Sequence, residues 1–537
     1  MLRKLFISGF CATALLGVVG PARADVITDW VNTLVGAIRT DKTAPPKASR
    51  AMALVQVAVF DAVNGLSGVY NPYFVTDPAP SGASPEAAAI AAAHKTLVAL
   101  FPAQQVALDG EYTISLGSVP PGAAKTLGVT WGETVAGKIL ALRANDHFSD
   151  VVTANFPTGA IWWVRTPPAL ANPLLPNWPS VTPWGVDDIA RFRPAPPPPP
   201  ASAACEAAFN EVKSVGKVDS TARTADQTQI ALFWADGGGT ATPPGHWDLI
   251  ARGIAISQNL SLIQNARLFA LLGIAEADAG IAAWDSKYYY NLWRPITGIR
   301  EADVDGNPDT APDTTWTPLI ATPPFPSYIS GHSTFSAAAA RVLGLFFGND
   351  VFNFTTTSDG LPGVQRSFTS FSQAAAEAGQ SRIYGGIHWQ FDNTAGLATG
   401  RALGEQIFYN NLTPVTKPAA CVQTPNALCL ENSRFKVQSI WRTFIGIESG
   451  SAPGHALPQT NDFGQFWFFS PDNVELSVKV LNGCALNNHF WVFASGLTNV
   501  EVVLRVTDTL TGETRTYFNP NGQAYTPVQD TSAFSCP

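Results

Sequence analysis

Apolar residues recur at three- and four-residue spacing in AMALVQVAVFDAVNGL, SPEAAAIAAAHKTLVALF, AKTLGVTWGETVAGKILALRAND and NARLFALLGIAEADAGIAAWDSKYYYNLW, and this helical period persists from about residue 50 to 410. Beyond about residue 415 it gives way to short aromatic and β-branched runs: RFKVQSIWRTF, GQFWFFS, VELSVKVLNG, HFWVFASG and VEVVLRVTDTLTGETRTYF. These read as strands, with TLTGET as a hairpin turn. Two periods segregated along one chain predict a mainly α helical-bundle domain over residues 25–415, followed by a small all-β sandwich over 416–537. Hydrophobic residues make up 46% of the 537 and charged ones 14%, enough to bury a large core and to exclude general disorder. RPAPPPPPASAA, residues 193–204, reads as an extended surface connection.

The first 24 residues place Arg3 and Lys4 before an apolar stretch and close on Ala22-Arg23-Ala24. This is the pattern of a secretory signal peptide, so residues 1–24 are left out of the fold and a secreted or periplasmic protein is expected. No later apolar run reaches membrane-spanning length. The formal net charge of −8 becomes −11 once Arg3, Lys4 and Arg23 are removed, which argues against nucleic acid as a partner. Of the remaining cysteines, Cys421, Cys429, Cys484 and Cys536 can form two disulfides in one of three pairings in an oxidising compartment. Cys205 is then left as a small hydrophobe.

Three separated stretches each gather groups that attract an anion. In KYYYNLWRP, Lys287 and Arg294 stand seven residues apart, which predicts two cations on one helix face, with Pro295 ending the helix at Arg294. PSYISGHSTF places Ser330 as an N-cap ahead of a helix, Gly331 where a backbone can approach a ligand, and His332 in the first turn. SRIYGGIHWQFD supplies the forked donor of Arg382, a Gly385-Gly386 bend, and His388 with Asp392 four residues on. On a helix that spacing lets the carboxylate hold one ring nitrogen and leave the other free. Taken singly, the first stretch reads better as solvated surface and the second as a local cap or packing, while the third is harder to dismiss as surface decoration. Taken together, three cations, a helix start, a hydroxyl and two histidines in an acidic protein would neutralise a tetrahedral oxyanion such as phosphate or vanadate.

The order and spacing of these motifs resemble the vanadium-dependent haloperoxidase and type 2 phosphatidic acid phosphatase superfamily: Lys, six residues, Arg-Pro; Ser-Gly-His; Ser-Arg, five residues, His, with Asp four further on. Similarity to the chloroperoxidase-like branch continues through FWADGGGTATPPGHW, WDSKYYYNLWRPITGIR, PPFPSYISGHSTF and SRIYGGIHWQFD, covering most of residues 220–410. The resemblance implies a catalytic helical domain of the haloperoxidase and acid phosphatase type, with vanadate as cofactor. His388 would bond the vanadium, while Lys287, Arg294, Ser330, Gly331 N–H and Arg382 hold the vanadate oxygens. His332 would be the acid/base, Lys287 would polarise bound hydrogen peroxide, and halide would leave as hypohalous acid.

The same resemblance implies a rival, a secreted acid phosphatase in which His388 attacks a phosphate ester and His332 protonates the leaving group. Trp284 and Phe325 match halide-pocket aromatics of the chloroperoxidase-like members and favour the peroxidase. Ile329 departs from the proline often found before the Ser-Gly-His motif, which puts the rigidity of that turn in question. A third reading is a secreted binding or structural protein whose helical part is a degenerate scaffold. The tail from CVQTPNALCL to DTSAF resembles a module at the C-terminus of various secreted bacterial proteins.

Weaker signals surround the motifs. Asp303, Asp305, Asn307 and Asp309 alternate as in a calcium loop, but Gly306 and the missing twelfth-position glutamate do not fit an EF-hand, and an Asx-rich turn is the better reading. The resemblance places His246 in a loop near the mouth of the site and Asp236 as a partner for an active-site arginine, although a lone histidine beside Trp247 is more often structural.

Overall fold

The structure, a computed structural model, describes residues 25–415, 421–445 and 448–536; the expected signal peptide lies outside the described residues. The N-terminal part is helical: α1 (Val26–Asp41), α2 (Pro45–Ser67), α3 (Pro85–Leu100), α4 (Gln105–Gly117), α5 (Ala123–Leu142), α6 (Ala203–Val215) and α7 (Ala225–Phe233). It continues with α8 (Thr242–Ser257), α9 (Leu262–Tyr290), α10 (Pro295–Arg300), α11 (Gly331–Phe346), α12 (Phe371–Tyr384) and α13 (Gln390–Asn410). Between α11 and α12 lies a hairpin, β1 (Val351–Thr357) and β2 (Gln365–Ser370), that the helical period gave no reason to expect.

Helix α9 is the axis of the bundle. A capping box of Ser261 and Gln264 starts it, and Asn291 in the left-handed region, φ 51°, ends it. Every residue from Asn265 to Lys287 is buried, the charged Arg267, Glu276, Asp278, Asp285 and Lys287 among them. Helices α11 and α13 pack with their backbones almost touching, because Gly396, Gly400 and Gly404 line one face of α13. A Cβ on Gly400 would lie 2.1 Å from the Thr334 carbonyl oxygen, and one on Gly404 2.5 Å from that of Ala338. This approach brings the N-termini of α11 and α13 together.

The C-terminal part is β-rich: β3 (Leu428–Leu430), β4 (Phe435–Ile445), β5 (Glu448–Pro453), β6 (His455–Pro458) and β7 (Phe463–Trp467) come first. They are followed by β8 (Val474–Asn482), β9 (His489–Gly496), β10 (Glu501–Asp508), β11 (Thr514–Asn519) and β12 (Val528–Ser535). One sheet runs β11-β10-β4-β3 with β5 on β4, and the other runs β12-β9-β8-β7-β6. Val437 and Leu504 of the first share a core with Val478 and Val492 of the second. Thr507 pairs with Thr514 across the TLTGET turn. Disulfides join Cys421 to Cys429 and Cys484 to Cys536, one of the three expected pairings, and Cys205 is a half-buried free thiol. Glu405 of α13, fully buried, bonds Arg341 and also Arg442 of β4, and Arg442 in turn meets Glu501 of β10 at 2.8 Å. Buried charges thereby tie the strands to the helices.

Among the described residues, Asp248 and Glu276 are fully buried carboxylates with no ion pair and with unpartnered oxygens. Gln56 Nε2 donates to Asp248 at 2.5 Å, while Asp248 Oδ1 and both oxygens of Glu276 have no partner among the described residues. Burial pushes Asp248 up to about 8, and burial followed by the charge of Asp248 pushes Glu276 well above the usual carboxylate range. The folded chain therefore keeps protons that the unfolded chain releases above about pH 4, so stability falls as pH rises from there to about 8. Replacing Asp248 by Asn should raise the unfolding midpoint at pH 8 by the equivalent of about 2 kcal/mol, with a smaller gain at pH 5. Gly400→Ala should destabilise the chain by about 1–3 kcal/mol in chemical denaturation, since the obstructing atom is backbone and cannot move aside.

Candidate active site

The three anion-seeking stretches meet at the end of α9 where α11 and α13 begin. Lys287 and Arg294 are fully buried, and Arg382 and His388 are 3% exposed. The first pair does not share a helix face as the sequence predicts. Helix α9 stops at Tyr290, and Arg294 stands in extended backbone, φ −87° and ψ 157°, as the N-cap of α10. Pro295 restricts Arg294 as expected but starts the next helix instead of ending the last. The turn through Asn291 still returns Arg294 to the site.

Backbone carbonyls hold the cations. The Lys287 ammonium donates to the carbonyls of Pro326, Ser327 and Ile329, which uses all its N–H groups, so as placed it contributes charge more than a free donor. Arg294 donates through Nε to Phe325 O at 2.8 Å and through Nη1 to Ile387 O at 2.8 Å. Arg382 Nη1 donates to Trp234 O at 2.9 Å. Arg294 Nη2 and Arg382 Nε are buried with no partner among the described residues, an arrangement costly unless an acceptor occupies the space between. Ile329 is fully buried, so packing and the bond from Lys287 fix the turn whose rigidity the missing proline put in question.

Ser330 caps α11 as predicted. Its oxygen accepts from Ser333 N at 3.3 Å and lies 2.8 Å from Ser333 Oγ, which in turn is 2.8 Å from the acceptor Asn393 Oδ1. The first-turn amides of Gly331 and His332 have no intrahelical acceptor, as at any helix start. His332 is half-buried, with Nε2 donating to Ala235 O at 3.3 Å.

His388 precedes α13, and Asp392 lies in the first turn of that helix, so the expected contact forms across a helix start and not along a helix face. Asp392 Oδ2 accepts from His388 Nδ1 at 2.8 Å, from the Trp389 amide at 3.1 Å, and from Ser327 Oγ. Arg294 Nη1, only a donor, faces His388 Nε2 at 3.0 Å. The two contacts assign the proton to Nδ1 and the lone pair to Nε2. Burial, then the charges of Arg294, Lys287 and Arg382, hold His388 well below the usual histidine range. Burial and Arg382 do the same to His332. Burial and Arg294 also depress the Lys287 ammonium, so the groups repel one another until an anion enters. Trp284 and Phe325 wall one side with ring centroids 4.8 Å apart, and Lys287 Nζ is 5.1 Å from the centroid of Phe325.

Other expectations change. His246 lies in the first turn of α8, buried, and not in a loop; Asp236 pairs with it at 3.1 Å and forms no ion pair with an arginine among the described residues. Residues 303–309 close on themselves, with Asn307 N bonding Asp305 and Asp309 N bonding Asn307, which is the Asx-turn reading. Ser327 and the carbonyls of Trp234 and Ala235 were not foreseen, since carbonyl acceptors leave no mark in a sequence.

A family model described as the VCPO second helical-bundle domain matches residues 267–415, which hold all three motifs. Vanadium chloroperoxidase of Curvularia inaequalis is 27% identical over 463 residues, 66% of this chain and 75% of its own. The crystal structure of the first bacterial vanadium-dependent iodoperoxidase matches with a TM-score of 0.63 at 31% identity, over 72% of this chain and 96% of that one. A holo-type bacterial vanadium-dependent chloroperoxidase shares the fold at a TM-score of 0.53 and 17% identity, over 73% and 93% of the two chains.

Asp392→Asn should keep the shape of the site but release the His388 tautomer. Inorganic phosphate, measured by calorimetry, should then bind roughly tenfold more weakly.

Proposed function

This chain belongs to the vanadium-dependent haloperoxidase family, and on that premise we propose that it oxidises halide with hydrogen peroxide to hypohalous acid. The observation that carries the reading is the pair of buried, unpartnered guanidinium nitrogens, Arg294 Nη2 and Arg382 Nε, beside His388, whose Nε2 lone pair faces Arg294 Nη1 at 3.0 Å. Those donors fit a tetrahedral oxyanion, and vanadate is the member of that class that the family uses. His388 Nε2 would bond the vanadium, and Arg294, Arg382, Ser330 and the Gly331 amide would hold its oxygens, with Lys287 adding charge. Bound vanadate supplies a Lewis acid that activates peroxide without a change of oxidation state.

The protein's own groups do the rest. Asp392 keeps Nδ1 of His388 protonated and its ring oriented. His332, held neutral by burial and by Arg382, is placed to take up and return a proton beside the anion. The Trp284–Phe325 wall excludes water from one flank, which suits a partly desolvated halide better than a phosphate ester. The disulfides support an oxidising, secreted or periplasmic destination. We assign catalysis to residues 25–415 and a binding or structural role to the β-rich part.

Reconstitution of the purified chain with orthovanadate should give peroxide-dependent bromination or chlorination of a dimedone-type acceptor. His332→Ala should lower its kcat about 100-fold. Ester hydrolysis inhibited by vanadate, with no halogenation, would instead identify a phosphohistidine phosphatase. Activity and anion binding untouched in His388→Ala would leave only the binding or structural reading.

A further inference from the structure

The segment Trp234–Asp236 serves two residues of the site through its backbone. The Trp234 carbonyl holds Arg382, and the Ala235 carbonyl holds His332. This segment follows the end of α7 and includes a left-handed residue, Asp236 at φ 42°, a conformation that aspartate tolerates better than most side chains but that still needs support.

The support comes mainly from His246. Asp236 and His246 are each 2% exposed. The carboxylate of Asp236 accepts from His246 Nδ1 at 3.1 Å, and His246 Nε2 meets Thr356 Oγ1 of β1 at 3.1 Å. The imidazole also stacks on the Trp234 indole, centroids 4.6 Å apart and planes 25° from parallel. The far edge of that indole is pinned where Nε1 donates to Glu377 at 3.0 Å. One histidine thereby touches the side chains on both sides of Ala235.

We propose that His246 is a positioning residue of the anion site, fixing the two carbonyls that orient Arg382 and His332 and keeping the Asp236 carboxylate occupied. The inference rests on the anion-site reading above. Asp236 is near enough for its charge to oppose the lowering of the Arg382 pKa that burial causes. Freed from His246, this carboxylate can take the Arg382 fork and compete with the bound oxyanion for it. The direction of the effect is therefore set: loss of His246 weakens anion binding, and it does so through Asp236.

His246→Phe keeps an aromatic ring on Trp234 and removes both hydrogen bonds. With the full chain and inorganic phosphate as probe, calorimetry should show binding about tenfold weaker than in the unsubstituted protein. Adding Asp236→Asn should recover most of that affinity, because the competing charge is gone. Unchanged affinity in His246→Phe overturns the proposal, and so does a loss that Asp236→Asn fails to reverse, which would mean general damage to the segment. Should His246→Phe not fold, Asp236→Asn alone removes the charge that His246 keeps occupied and should not weaken phosphate binding; a roughly tenfold loss in that variant overturns the proposal equally. An unsubstituted chain that binds neither phosphate nor vanadate is a different result, which removes the anion site itself.

Discussion

Lys287, Arg294 and Arg382 are buried, and backbone carbonyls hold them, with no carboxylate at ion-pair distance among the described residues. Carbonyl dipoles orient a cation without cancelling it, so the net charge stays available to a ligand. Several other buried or half-buried arginines are paired instead: Arg50 and Arg143 share Asp146, Arg341 pairs with Glu405, and Arg434 with Asp508, whereas Arg267 and Arg223 also rest on backbone carbonyls. Those pairs are neutralised and structural. Stabilisation of the site's charge is instead left to the anion, and the fold must hold the repelling groups in place until it arrives.

The close approach of α11 and α13 does much of that holding. Glycines on α13 let the two helix starts meet, and Asp392 joins them: its backbone carbonyl accepts from Ser330 N at 3.0 Å while its side chain serves His388, Trp389 and Ser327. The acid/base candidate at the start of α11 and the ligand candidate ahead of α13 are thus set by one residue. Helix α9, buried along most of its length, supplies the third wall and carries Trp284 and Lys287 on adjacent turns.

Period and spacing made helices α2, α3, α5, α9 and α11, strands β4 and β7 to β11, and the α11 cap legible in the sequence, while the family resemblance joined the three motifs into one candidate site. The path of the chain between motifs was not legible in the same way. Lys287 and Arg294 were read onto one helix face because seven residues make two turns, yet Asn291 adopts a left-handed conformation and ends the helix early. The sequence singles out His246 by resemblance but gives no sign of its partners, because Asp236 and Thr356 lie 10 and 110 residues away. Contacts to carbonyls are invisible for a related reason: every residue has one, and only the fold selects which are used.

Two carboxylates do come near the cations, and the structure treats them alike. Asp392 bonds Nδ1 of His388, and Asp236 bonds Nδ1 of His246. A bare carboxylate beside a buried guanidinium would close into a forked pair and leave nothing for a ligand to gain. Tied to an imidazole, each carboxylate still lends its field to the cations without an ion pair to any of them among the described residues. The site thereby keeps negative charge close enough to limit repulsion among its cations, and far enough from them that an incoming oxyanion meets open donors.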